Sequence, residues 1–214
     1  ALALAAALLA VGALAAQPDY AAQVVDAGGN VLSDGGGNLL QYDTLDAAIA
    51  YAVGSDSGDS LIIEVLGNCR IDTRISVPGG KSITIFSDSD DLTITDDTRK
   101  GINLSANGSL AFEGITFDTN GQIYLYNEAS LTFTNAELNM DGEMYEFSIA
   151  YYCCAISLEA PANLTFDNSE VYIANYPLQG SAIRWDNNSE GYYINIINGT
   201  NFESTNCYAG FTGT

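Results

Sequence analysis

A pair of short apolar triplets recurs along the chain at a fixed internal offset, and this constrains the fold more than any other feature. Ile75-Ser-Val77, Ile102-Asn-Leu104, Ile123-Tyr-Leu125, Ile156-Ser-Leu158 and Ile183-Arg-Trp185 share an apolar-x-apolar pattern. Eight residues after the first four stand Ile83-Thr-Ile85, Leu110-Ala-Phe112, Leu131-Thr-Phe133 and Leu164-Thr-Phe166, while the fifth partner, Ile194-Asn-Ile196, follows after eleven. The unit length is 27, 21, 33 and 27 residues, so the loops vary while the two-strand kernel is kept. A third apolar pair follows in most units: Leu92/Ile94, Ile115/Phe117, Ala136/Leu138 and Val171/Ile173.

Alternation with period 2 is the mark of a strand with one buried face. Three such strands cannot enclose a core alone, but units stacked on one another bury a continuous apolar column. The predicted fold is therefore all-β, a right-handed parallel β-helix, that is, a three-faced solenoid. Leucine-rich repeats would need a Leu/Asn consensus and a helical segment, and a propeller would need longer strands and a period nearer 40. A β-sandwich also has short alternating strands, but it does not account for the constant offset. Two residues after each second strand stand Gly114, Asn135, Asn168 and Asn198. Gly and Asn adopt a left-handed backbone at low cost, so these positions are predicted corners, with the Asn side chains able to stack as a hydrogen-bonded ladder.

Upstream of the repeats the periodicity changes to 3.6. Leu45, Ala48, Ile49 and Ala52 share a helical face, with Asp43 or Thr44 as N-cap, Asp46 in the first turn and Gly54 as stop. Residues 1–16 contain only Ala, Leu, Val and Gly, too short a run for a bilayer but suited to the apolar region of a secretory signal. The organisation expected is a signal-peptide remnant at 1–16, a Gly-rich N-terminal segment at 17–42, a capping helix and turn at 43–60, and the β-helix at 61–214. Phe211-Thr-Gly213, 28 residues after Ile183, reads as the opening of a sixth coil, so the helix is expected to be truncated at the C-terminus.

The 214 residues carry 27 acidic and 6 basic side chains, no His, and a net charge of −21. Nucleic acid and anionic membrane surfaces are bound chiefly through Lys and Arg, so neither is an expected partner. No membrane-spanning segment is predicted. Such a charge solubilises an extended surface.

The stretches Gly-Asp-Ser-Leu-Ile-Ile-Glu-Val65, Arg74-Ile-Ser-Val-Pro-Gly-Gly-Lys-Ser-Ile-Thr-Ile85 and Gly108-Ser-Leu-Ala-Phe-Glu-Gly-Ile-Thr-Phe117, behind the helix, resemble the start of pectin-lyase-like β-helix proteins, especially bacterial surface and adhesin-like members. The resemblance covers about residues 43–214. It implies the fold, whereas function varies within it from lyase and hydrolase to non-enzymatic surface protein. Polygalacturonase-type members use aspartates with Gly-His-Gly and Arg-Ile-Lys elements; this chain lacks His and has Arg70-Ile-Asp and Arg74-Ile-Ser instead. Pectate-lyase-type members use Ca²⁺ held by carboxylates and an Arg or Lys base. The one acidic cluster beside bases is Asp88, Asp90, Asp91, Asp96, Asp97, Arg99 and Lys100. Ca²⁺ would accept those oxygens, but adjacent Asp residues on a strand point to opposite faces, and a polar corner is the simpler reading.

No catalytic, cofactor-binding or metal-ligating set is assigned, and no cofactor beyond that Ca²⁺ is implied. Sequons occur at Asn103, Asn107, Asn163, Asn187 and Asn198. Tyr124, Tyr126, Tyr172, Tyr192, Tyr193 and Trp185 are candidates for a carbohydrate-stacking surface. The expected function is a non-catalytic, secreted or cell-surface β-helix used for adhesion or as a structural stalk, its ligand a carbohydrate or a host or cell-surface group. The alternative is a polysaccharide lyase or related enzyme acting on acidic polysaccharide.

Four cysteines in an exported chain suggest disulfides. By coil register, however, Cys154 and Cys207 are two coils apart and Cys69 and Cys153 three, roughly 10 and 14 Å at the ordinary strand spacing. A disulfide needs Cα atoms within about 7 Å. Neither long-range pair is expected to be bridged, leaving Cys153 and Cys154 free or joined to each other.

Overall fold

The computed structural model describes residues 20–54, 58–89, 91–142, 154–159, 161–176, 181–185, 191–207 and 209–213. The apolar run 1–16, Asp90, Cys153 and the Asn187 sequon lie outside the described residues.

Three sheets form the walls of a parallel β-helix. The first triplet of each coil enters one six-stranded sheet, which runs from Ile75–Val77 through Ile102–Leu104, Ile123–Leu125, Ile156–Leu158 and Ser181–Trp185 to Ala209–Gly213. We call this the leading sheet. The second triplets, with the strands Ser60–Val65, Ala22–Val25 and Gln41–Tyr42 ahead of them, form the eight-stranded middle sheet. The third apolar pairs, with the two-residue strand Cys69–Arg70 ahead of them, form the trailing sheet.

Pairing within the helix is parallel and aligns the kernels as expected, for example Ile102, Ile123 and Ile156 in the leading sheet and Phe112, Phe133 and Phe166 in the middle one. All twelve kernel residues from Ile102 to Phe166 are at most 1% exposed. Phe112, Phe133 and Phe166 stack in a column with ring centroids 5.1 and 5.5 Å apart, close to the strand spacing. Phe211 pairs with Ile183, which places the start of a further coil where the repeat predicted it.

One register differs from expectation. In the trailing sheet Leu138 pairs with Val171 and Met140 with Ile173, so Val171/Ile173 is displaced by one step of two residues from Ile115/Phe117. The residue that follows the corner at Asn168, as Ile115 follows Gly114, is Ser169. It is buried, and its hydroxyl donates to the carbonyls of Phe133 and Asp167 and accepts the N–H of Ala136. A polar residue fills an apolar slot because the corner backbone satisfies it, which conceals the repeat.

The corners are left-handed where predicted: φ is +64° at Gly114, +48° at Asn135, +47° at Asn168 and +53° at Asn198. The ladder forms in part. Asn168 donates to the Asn135 side chain at 2.7 Å, whereas Asn198 turns to the Asp167 carboxylate at 2.6 Å. A second ladder, absent from the sequence reading, follows the trailing sheet, where Asn206 donates to Asn175 and Asn175 to Asp141, each at 2.8 Å.

The first coil is closed by the N-terminal elements. Leu45–Val53 is helical, with the Thr44 hydroxyl accepting the Ala47 N–H and the Gly54 N–H returning to Tyr51. Its buried residues are the four predicted ones. Asp46 accepts the N–H groups of Asp72 and Thr73, fastening the helix to the corner before the leading sheet. The Gly-rich segment, for which no strands were expected, contributes Ala22–Val25 and Gln41–Tyr42; the former runs antiparallel to Ser60–Val65 and covers that sheet edge. Between them two similar loops, Asp26 to Asn30 and Asp34 to Asn38, each fold around an Asp carboxylate that accepts two backbone N–H groups. Val24, Leu32 and Leu40, eight residues apart, close a ring: Leu32 N–H donates to Val24, Leu40 to Leu32 and Val24 to Leu40, at 2.8 to 2.9 Å.

Candidate functional site

Side chains alternate across each strand, so the inward column of the trailing sheet fixes an outward array. One row reads Thr95, Asp118, Asn139 and Tyr172 across four successive coils. Beside it lie Asp97, Asn120, Asp141 and Ala174. Together they border a groove of about 380 Å³. Three strand steps make it about 14 Å long.

The groove is lined mainly by Asp, Asn and Thr side chains and is internally braced. The Asn139 amide donates to Asp118 at 2.8 Å and to Glu137 at 2.9 Å. At the far end Tyr172 is 37% exposed and donates to Glu170 at 3.2 Å. That hydrogen bond, and then the charge of the same carboxylate, raise the Tyr172 phenol above its ordinary pKa, so it stays a neutral donor. No Lys, Arg, Ser or Cys is among the lining residues. At its edge Arg70 pairs with Asp72 at 2.8 Å and with the lining residue Asp97 at 2.9 Å. Arrays of carboxylate and amide acceptors with an exposed ring suit the binding of hydroxyl-rich ligands.

The acidic cluster singled out in the sequence does not converge. Asp96 and Asp97 do point to opposite faces: Asp96 is 1% exposed and Asp97 is on the surface. Asp91 and Arg99 sit at exposed left-handed turns, and Asp88 lies beside the Asp26 loop on another face. Asp96 is a structural staple. Its carboxylate accepts the N–H of Gly101 at 2.7 Å and that of Thr98, along with the hydroxyls of Thr98 and Thr119. Burial alone would push its pKa up, but these hydrogen bonds, Gly101 foremost, together hold it below the ordinary value. Among the described residues no group of three or more acidic or Cys side chains is placed to hold a metal ion.

The candidate aromatics are scattered over the three faces instead of lining one surface. Tyr124 and Tyr126 stack at 6.1 Å beside the leading sheet, Tyr172 is on the trailing sheet, and Tyr193 is exposed on the middle one. Trp185 and Tyr192 pack against the core. The sequence reading missed the groove because its residues, 21 to 33 positions apart, share only an outward register. That register was available from the repeat alignment.

Cys69 and Cys207 are free thiols, so neither long-range pair is bridged. Among the described residues no helix is long and apolar enough to cross a membrane. No protein-family model matches the chain, and no characterised protein or solved structure is significantly similar to it.

Proposed function

We propose that this chain is a secreted or cell-surface β-helix, pectin-lyase-like in kind, that works without catalysis and binds a carbohydrate chain along its trailing sheet, for adhesion or as part of a structural stalk. The observation that carries the reading is the groove across four coils, where Asp118, Asn139 and Asp141 offer polar atoms on one floor with the exposed ring of Tyr172 at its end. Sugars present hydroxyls to such acceptors and a C–H face to a ring. The site is open and elongated, the shape needed for a polymer. The net charge of −21 makes nucleic acid an unsuitable partner.

Polysaccharide lyase chemistry, the alternative, has less support. Proton abstraction needs a base, and Arg70, at the edge of the groove, is paired with two carboxylates. The reading is tested by titrating the chain with a panel of neutral and acidic oligosaccharides in calorimetry. At least one is expected to bind, with Tyr172→Ala weakening it about tenfold, the worth of a lost stacking contact. Absence of binding across the panel would overturn the carbohydrate reading. Release of unsaturated product from polygalacturonate or alginate, with or without Ca²⁺, would overturn the non-catalytic one.

A further inference from the structure

The groove of the trailing sheet has a polarity set by how its donors are already used. The Asn139 amide gives its hydrogens to Asp118 at 2.8 Å and to Glu137 at 2.9 Å, so this side chain has only its carbonyl oxygen left for a ligand. The opposite amide orientation would set that oxygen against two carboxylates. The Tyr172 O–H is spent on Glu170, and the Thr119 O–H on Asp96. Asp118 accepts from Asn139 on one oxygen, while its other oxygen takes no hydrogen bond or ion pair from a described residue. The centre of the groove is thus a surface of acceptors, one of them charged.

We propose that the groove selects a glycan bearing protonated amino groups, a polymer of the glucosamine type, over neutral glycans and against uronates. The inference rests on the carbohydrate reading above and adds to it the charge of the sugar. A floor of acceptors pairs with donors, and an ammonium group brings three of them together with a charge, which makes its hydrogen bond to a carboxylate stronger than that of a hydroxyl. A uronate would instead bring a second carboxylate towards Asp118, and no Lys or Arg lines the groove to offset the repulsion.

The spacing suits a polymer. Asp97, Asp118 and Asp141 belong to three successive coils, so lining carboxylates recur with an axial rise of about 4.8 Å, of the order of one sugar in an extended chain. Asp97 is already held by Arg70 at 2.9 Å, which makes Asp118 the anchor at mid-groove. The exposed ring of Tyr172 takes the C–H face of a sugar, a broad apolar face that a lysine-rich peptide of the same charge lacks.

The test is calorimetry of the whole chain in mildly acidic buffer, where amino sugars are protonated. The probes are glucosamine oligomers, their N-acetylated counterparts and oligogalacturonate of equal length, with oligolysine as a charge control. Glucosamine oligomers are expected to bind about tenfold more tightly than the N-acetylated ones, and oligogalacturonate not at all. Asp118→Asn, which keeps an acceptor for Asn139, should bring the two glucosamine-type oligomers to equal affinity, whereas Asp88→Asn, on another face, should preserve the advantage. An advantage absent from the native chain, surviving Asp118→Asn or lost equally in Asp88→Asn would overturn the charge assignment while the carbohydrate reading stands. Oligolysine binding as tightly as the glucosamine oligomers would overturn it too. Absence of binding by all three sugars would instead remove the carbohydrate reading itself.

Discussion

The buried carboxylate of Asp96 accepts the backbone N–H of Gly101 at 2.7 Å and so closes the corner between the trailing sheet of one coil and the leading sheet of the next. Gly101 has a positive φ of +63° and meets the Gln122 backbone so closely that a Cβ would lie 2.0 Å from its carbonyl oxygen. The corner has room for a glycine only, and an anion from the preceding strand satisfies its N–H group.

Removing that anion leaves buried donors unpaired. Asp96→Ala should destabilise the chain by about 2–3 kcal/mol. The native carboxyl titrates below its ordinary value of 3.8, so its stabilisation is complete above that value and is lost as pH falls through the lower native one. The gap in urea midpoint between wild type and Asp96→Asn should therefore narrow in acid, below about pH 4. A gap independent of pH would show that the charge of Asp96 contributes nothing.

Phe133 stands between Phe112 and Phe166 in the aromatic column and is fully buried. Phe133→Ala should cost roughly 3–5 kcal/mol, from lost transfer energy and the cavity left in a stack that cannot collapse along its axis. Equilibrium denaturation measures it, and a cost under about 1 kcal/mol would be incompatible with the column.

Burial, and then the charge of Asp46, push the Cys69 thiol up to about 11, so it stays protonated and a poor nucleophile near neutrality. Native Cys69 should be alkylated far more slowly than in the unfolded chain, and non-reducing peptide maps should show it uncrosslinked, as they should Cys207. A bridge from either to residues 153 or 154 would refute the coil register.

Periodicity made the solenoid legible in the sequence. An apolar-x-apolar triplet repeated at a fixed offset has one economical burial, a stack, and the positive-φ requirement at Asn135, Asn168 and Asn198 follows from where the chain must turn. The helix was equally legible, since its cap, face and stop are local. Ser169 escaped the pattern because its burial depends on the Phe133 and Asp167 carbonyls, which no composition rule anticipates. The N-terminal strands were hidden because Asp26 to Asn30 and Asp34 to Asn38 read as glycine-rich linker, although their eight-residue echo was visible.

The sequence by itself determined the coil, its inward residues and its corners, because backbone pairing and apolar burial are repetitive and local in register. The tertiary structure decided which outward residues meet. Asp118, Asn139 and Tyr172 become neighbours only when coils of unequal length stack in register, and Asp96 and Asp97, adjacent in the chain, are separated by the pleat into a buried staple and a surface ion pair. The proposed binding groove depends on the outward array, which stacking creates from residues with no signal of their own.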